Sequence, residues 1–309
     1  MATKMSSGLQ SVVLITGMSG SGKSVALKWL EDAGYACVDN LPVTFLPELI
    51  DSAQLSLNSR LAVAIDARSQ GDLHTLPEAI EQLRERGTHI RVLFLDADDN
   101  TLIQRYSESR RRHPLAERLT RSGTAATLGA CIALERDLLD RLRNRSHVLD
   151  TSGLKPVQLR EWMRDLIQAD RPGLVMALES FAYKQGTPRD ADLVFDVRCL
   201  PNPHYDPELK NLTGLDQPVV DWFSRYSEVA EMIDDIESFI RKWLPFYTAD
   251  TRSYLTVAIG CTGGQHRSVY VASELAKRLS DIAQLLSRHR QQPGLSIRYE
   301  GADIKKVNP

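Results

Sequence analysis

Cysteine is scarce in this chain: four stand among 309 residues, at positions 37, 131, 199 and 261, and no two are spaced as C-x-x-C. That excludes a disulfide framework and a zinc site of ordinary ligand spacing, and it fits a reducing, cytoplasmic setting. Long apolar runs are missing as well. The first ten residues lack the apolar stretch of a secretory signal, and nothing approaches the roughly 20 apolar residues a membrane helix needs. The sequence therefore predicts a soluble, unsecreted protein without a membrane partner. Neither sign of charge dominates, since 38 Lys and Arg against 40 Asp and Glu leave a formal net charge of -2. A polyanionic partner would have to be met by a local patch rather than by the whole surface.

What is present is ordinary globular composition, 42% hydrophobic and 25% charged, in a chain long enough for about two domains. One stretch organises it. Gly17-Met18-Ser19-Gly20-Ser21-Gly22-Lys23-Ser24 reads G-x-x-x-x-G-K-S, follows the apolar run Val12 to Ile15, and precedes Val25, Leu27, Trp29 and Leu30 at helical spacing. A buried strand, a glycine loop and a helix in that order are the context a phosphate-binding P-loop requires. The glycines let the backbone wrap a phosphate chain while amides at the helix N-terminus point at it. In such a loop Lys23 reaches the β- and γ-phosphates and the Ser24 hydroxyl ligates Mg²⁺.

The first half then continues as alternating strands and helices, which predicts an α/β fold with a parallel sheet. Tyr35 to Val38 reads as a short second strand delivering Asp39 and Asn40, where Asp39 serves either a bound ligand or the turn into Leu41-Pro42. Leu61 to Ile65 and Ile90 to Asp96 are both apolar runs of the kind a strand buried on two faces shows, and each ends in an acid. Either Asp66 or Asp96 would hold the magnesium. Asp66 is favoured because Arg68 follows within reach of a phosphate. Leu76 to Arg86 and Leu128 to Leu142 have helical spacing, His147 to Asp150 reads as a fifth strand, and Leu154 to Ile167 as the helix after it.

From 105 to 145 there are ten Arg against five Asp or Glu, including Arg110-Arg111-Arg112-His113. This cationic stretch reads as a solvated helix face, as a lid closing guanidinium groups over a γ-phosphate, or as a nucleic-acid patch. Ala169-Asp170-Arg171-Pro172-Gly173 breaks the pattern with turn formers, which places a domain boundary there, between domains at 1–168 and 173–309.

The second, smaller α/β domain has its own glycine loop. Leu174 to Leu178 and Leu193 to Val197 read as strands, Val229 to Leu244 as an amphipathic helix with Ile233, Ile236, Ile240 and either Trp243 or Leu244 inward. The apolar run Tyr254 to Ile259 then leads straight into Gly260-Cys261-Thr262-Gly263-Gly264-Gln265-His266-Arg267-Ser268, with a helix after it. The helix N-terminus makes a second anion site, and Cys-x5-Arg-Ser matches the spacing by which phosphatase-type loops wrap a phosphate monoester. Three readings stand: a site for a phosphorylated small molecule, phosphatase chemistry, and a structural turn. Phosphatase chemistry would need a thiol of lowered pKa and a positioned acid, which the spacing alone does not supply. Lys184 and His204 are candidates to complete the pocket. The last dozen residues carry no period that predicts an element.

Taken together, the glycine loop, Asp39-Asn40-Leu41-Pro42, Ser109 to Leu115, Phe195-Asp196-Val197-Arg198 with Pro201-Asn202-Pro203-His204, and Gly260 to Tyr270 resemble the P-loop proteins of the RapZ (RNase adapter)/YvcJ type over nearly the whole chain. The resemblance implies a kinase-like N-terminal domain and a cytoplasmic protein that binds and weakly hydrolyses ATP and GTP. It implies ATP contacts on Gly17 to Ser24, and GTP contacts on Asp66-Ala67-Arg68-Ser69. It further implies a C-terminal site for an amino-sugar phosphate, here Cys261 to Ser268, and in the namesake branch the presentation of small RNA to a ribonuclease. Self-association into a homo-oligomer is also expected. Arg288, Arg290, Lys305 and Lys306 are the cations the tail offers to RNA, diluted by Glu300 and Asp303. The competing reading of the first domain is a small-molecule kinase with Asp39 as base.

Overall fold

The computed structural model describes residues 11–55, 60–67, 73–109, 111–168, 174–249, 254–292, 297–300 and 303–306. The chain divides into two compact units, Met1–Met163 and Arg164–Pro309. The turn formers at 169–173 lie outside the described residues. No helix among the described residues is long and apolar enough to cross a membrane.

In the first unit β1 (Ser11–Gly17), β2 (Ala36–Val38), β3 (Arg60–Ala64), β4 (Ile90–Asp96) and β5 (His147–Asp150) form a parallel sheet in the order β2-β3-β1-β4-β5. Val12, Val13, Leu14 and Ile15 are each at most 1% exposed, so the sequence's apolar run is the central strand, covered on both faces. The choice between two neighbours of β1 dissolves, because β3 and β4 flank it on opposite sides. Asp66 and Asp96 therefore both arrive beside the end of β1.

Helices α1 (Lys23–Asp32), α2 (Leu46–Leu55), α3 (Leu76–Glu85), α4 (Asp99–Ser109), α5 (Ala116–Arg121) and α6 (Leu128–Arg143) connect the strands, and α7 (Pro156–Gln168) follows them, the division between the units falling within it. Pro77 sits in the first turn of α3, where its missing N–H costs nothing, and Leu76, Ile80 and Leu83 form the buried stripe. Thr127 caps α6 by accepting from Ala130 N at 3.2 Å. Each fully buried Leu, Ile or Phe of this core, such as Leu14, Leu46, Ile50 or Phe94, contributes about 1.5–3 kcal/mol.

The second unit carries β6 (Val175–Ala182), β7 (Leu193–Asp196), α8 (Gln217–Phe223), α9 (Ser227–Ala249), β8 (Tyr254–Cys261), α10 (Arg267–Arg278), β9 (Gln284–His289), β10 (Ile297–Glu300) and β11 (Asp303–Lys306). Its sheet runs β11-β10-β9-β6-β8-β7, with β7, β8, β6 and β9 parallel and β10 and β11 antiparallel. Leu244 rather than Trp243 completes the inward stripe of α9, since Trp243 is 39% exposed.

Two expectations about the tail fail. Residues 297–300 and 303–306 pair as strands, where no element was predicted. Arg288 and Arg290 do not offer their charge to a partner: Arg288 is enclosed within β9, and Arg290 donates to Glu179 Oε1 at 2.6 Å and lies 3.7 Å from Asp190. Buried guanidinium groups need carboxylates, and the parallel neighbour β6 brings Glu179 beside Arg288.

Candidate functional site

The P-loop leaves β1 through Gly17, whose φ of +126° a side chain rarely adopts and whose Cβ would lie 2.0 Å from Leu95 O. The next amide, Met18 N, donates to that same Leu95 carbonyl at 3.0 Å, and the Met18 side chain packs into the core. Ser19 also turns inward. Its N–H and hydroxyl donate to the two carboxylate oxygens of Glu135 on α6, at 2.9 and 2.7 Å. Gly17 and Met18, expected to touch a nucleotide directly, thus form the back of the loop, and the stretch from Ser19 to Val25 lines a cavity of about 1000 Å³. Gly22, at φ +105°, reverses the chain into α1.

Lys23 is buried, and its ammonium donates to the Gly17 and Met18 carbonyls at 2.7 and 2.9 Å, with Asp66 Oδ2 at 3.8 Å. Ser24 is exposed beside it on the first turn of α1. Asp96 has a different environment: Arg136 meets it at 2.8 Å, Arg143 at 3.2 Å, and Ala97 N donates to it at 2.8 Å. The charge of Asp96 is thus already met by two guanidinium groups, whereas Asp66 has the Lys23 ammonium near it. No group of three or more His, Cys, Asp or Glu able to hold a metal occurs among the described residues. A hydroxyl and one carboxylate beside a phosphate cradle do fit Mg²⁺, which usually keeps waters and shares substrate phosphates instead of entering an all-protein cage. Arg68 and Ser69 lie outside the described residues, while Ala67 is half-buried next to Asp66.

The arginine stretch divides in function. Arg105 donates to Gly20 O at 3.1 Å and to Thr151 Oγ1 and O at 3.0 and 2.8 Å, so it braces the loop. Thr151, which the sequence did not single out, in turn donates to Ser21 O at 2.8 Å. Arg111 and Arg112 line the P-loop cavity together with Tyr106, Leu154, Lys155 and Leu159. His113 is buried, its Nδ1 accepting from Leu115 N at 3.2 Å and its Nε2 standing 3.3 Å from Glu135 Oε2. Arg110 lies outside the described residues. Arg118 and Arg121 are exposed on α5. Asp39 is exposed after β2, and Asn40 takes the left-handed φ of 56° in the turn it shares with Asp39.

The second glycine loop is a tight structure of its own. Cys261 is buried, and its sulfur accepts from Gly264 N at 3.2 Å and lies 3.1 Å from Ser268 Oγ. Arg267 already has partners on both sides: it donates to the carbonyls of Arg198 at 2.5 Å and Leu200 at 3.2 Å, and its remaining terminal nitrogen to Thr262 Oγ1 of the loop at 3.3 Å. Burial, above all, holds the His266 imidazole below its usual pKa, and its Nε2 sits 3.1 Å from Leu209 O. A neutral ring donating from Nε2 satisfies that carbonyl. Gly214 lets the neighbouring loop close on this turn, since a Cβ there would lie 2.3 Å from His266 O. Thr262 and Gly263 remain exposed, and so do Lys184 and His204. Lys184 N donates to Thr262 O at 3.4 Å and the His204 ring lies 6.4 Å from that of His266, which brings both predicted residues to this loop.

Comparison with known proteins agrees with this two-part organisation. The sequence model of the RapZ-like N-terminal domain matches residues 10–171, and that of the RapZ C-terminal domain matches residues 174–293. A protein of Bordetella pertussis named a nucleotide-binding protein is 64% identical over 281 residues, 91% of this chain and 97% of the relative. A nucleotide-binding protein of Paraburkholderia xenovorans is 54% identical over 285 residues, 91% of this chain and 96% of the relative. Among solved structures, an unliganded sugar kinase of a Janibacter species overlaps 52% of this chain and 95% of its own, at 15% identity and a TM-score of 0.35. With domain models covering both halves and relatives alike over almost their full lengths, this chain belongs to the RapZ family.

Proposed function

We propose that the protein is a nucleotide-binding regulator: its first domain, 1–168, binds ATP or GTP with Mg²⁺ and hydrolyses them slowly, and its second, 173–309, senses a phosphorylated amino sugar. The observation that carries the first part is the Lys23 ammonium, buried and parked on the Gly17 and Met18 carbonyls at the wall of the cavity. A triphosphate offers that ammonium more negative oxygens than two carbonyls do, so binding draws Lys23 toward the phosphates. Ser24 and Asp66 would hold the metal, which when bound neutralises charge on the phosphate oxygens. Gly20 to Ser24 supply the backbone cradle, Arg111 and Arg112 stand ready to close on the phosphates, and Leu154 and Leu159 offer apolar surface to a base.

Replacing Lys23 with alanine tests this. Calorimetry with ATP–Mg²⁺ and GTP–Mg²⁺ is expected to lose binding by at least about a hundredfold, in line with loss of a charge-assisted contact of about 3 kcal/mol. Binding and hydrolysis at parental levels in that variant would refute the assignment. The kinase reading draws on the breadth of the same cavity, and rapid ATP use that depends on one added metabolite would favour it.

In the second domain the ligand's phosphate would meet the Thr262 and Gly263 backbone and Lys184, with His204 at the edge. Cys261, Gly264, His266, Arg267 and Ser268 shape the loop from behind. Lys184→Ala is therefore the cleaner test than Arg267→Ala, which also releases the 198–200 segment. Glucosamine 6-phosphate binding unaffected by Lys184→Ala together with Thr262→Pro would sink the sugar-phosphate reading. An adaptor role toward small RNA and a ribonuclease would rest on other cations such as Lys305 and Lys306, because Arg288 and Arg290 are enclosed. A homo-oligomer would be read from light scattering of the full chain.

A further inference from the structure

A second cavity, of about 510 Å³, lies beside α5 and shares Tyr106, Arg111 and Arg112 with the P-loop cavity. The rest of its wall includes Arg121, Leu128 and Glu117. We propose that this cavity is a second anion site, built for a small phosphate ester and separate from the nucleotide.

The charge balance points that way. Three guanidinium groups face one carboxylate, and that carboxylate, Glu117, stands 3.7 Å from Arg121 in a strongly exposed pair that contributes little. Neither Arg111 nor Arg112 has a carboxylate or carbonyl partner among the described residues. Planar guanidinium groups left in that condition around a concavity match phosphate geometry. The cavity's volume falls within the range of small-molecule sites, roughly 300–1,000 Å³. Its wall is also partly apolar: Tyr106, Ala126 and Leu128 would cover the carbon part of an ester, which free phosphate lacks.

The position gives such a ligand a consequence. The segment bearing Arg111 and Arg112 also bears His113, which stands 3.3 Å from the carboxylate that holds Ser19 of the P-loop. An anion drawing Arg111 and Arg112 to the α5 side removes them from the nucleotide side, since the two cavities share those side chains.

The test is local and independent of the nucleotide reading. Methyl groups of Ala126 and Leu128 line this cavity and not the P-loop cavity. In full-length protein with labelled methyls, titration with inorganic phosphate and with glycerol 3-phosphate is expected to shift both signals saturably, the ester binding more tightly. Lys23→Ala leaves these shifts in place, whereas Arg121→Glu, at a side chain 84% exposed and harmless to folding, weakens them at least tenfold. Ala126→Trp, which fills the space, abolishes the Leu128 shift. Signals that stay still in the parent protein, or a Leu128 signal that moves equally in the Arg121→Glu and Ala126→Trp variants, would overturn the site. Tighter binding of inorganic phosphate than of the ester would overturn its ligand class.

Discussion

Glu135→Gln removes one charge from beneath the phosphate loop while keeping the volume of the side chain. Glu135 is fully buried on α6, and its oxygens accept from Ser19 N at 2.9 Å and Ser19 Oγ at 2.7 Å. Hydrogen bonds to a charged acceptor contribute about 1.5–3 kcal/mol each. Glutamine retains one acceptor oxygen, so one of the two bonds becomes neutral and the other must reorganise around an amide nitrogen. The expected local destabilisation is about 2–4 kcal/mol. Glu135→Ala, which leaves the Ser19 amide enclosed and opens a void, costs about 3–5 kcal/mol. The readout is hydrogen exchange of the Ser19 amide, where 1.4 kcal/mol is a factor of ten, so Glu135→Gln accelerates exchange roughly 30- to 1,000-fold. Asp137→Asn, on the exposed side of the same helix, serves as control and shifts stability by no more than about 0.5 kcal/mol. Parental exchange at Ser19 in Glu135→Gln would show that the carboxylate does not hold the loop.

Further outcomes follow from individual burials. His289 is buried, and burial pushes its imidazole down to about 4 from 6.5. The folded state keeps it neutral while the unfolded chain protonates, so this contribution is complete above pH 6.5 and is lost as pH falls toward 4. Between pH 7 and 5 that amounts to about 2 kcal/mol in denaturation of the second unit, and His289→Gln removes this part of the slope. Burial likewise pushes the Cys37 thiol up to about 11, whereas Cys199 is exposed. Timed alkylation at pH 7.5 read by mass spectrometry should label Cys199 first and Cys37 slowly; the reverse order would contradict the geometry. Gly17→Ala is expected to be recovered only in trace or insoluble form, because its Cβ would lie 2.0 Å from Leu95 O; a stable, folded Gly17→Ala protein would show that β4 can yield there.

The parts of this molecule that were legible in the sequence are those written in local pattern. Continuous apolar runs announced β1, β3 and β4, and each glycine loop announced itself by a strand before it and a helix after it. What needed three dimensions was pairing. Asp66 and Asp96 close runs of the same form, and only the arrival of Arg136 and Arg143 from α6 separates them. Arg288 and Arg290 count as two tail charges until β9 is seen beside β6 and Glu179. One missed residue did leave a trace: Cys131, Ile132, Glu135, Leu139 and Leu142 share the buried stripe of α6, and an acid on such a stripe has to find donors. Thr151 left no comparable mark, because a threonine after a strand is common and its bonds to Ser21 and Arg105 span distant sequence.

Successive residues of α6 grip different parts of the sheet's rim: Glu135 clasps the turn after β1, and Arg136 clasps Asp96 at the end of β4 and Asp99 beyond it. The helix therefore acts as a crossbar over two adjacent strand tips. A slide of that bar along its axis cannot be accommodated at one tip alone, so any partner that leans on its outer side would change the spacing of both in a single movement.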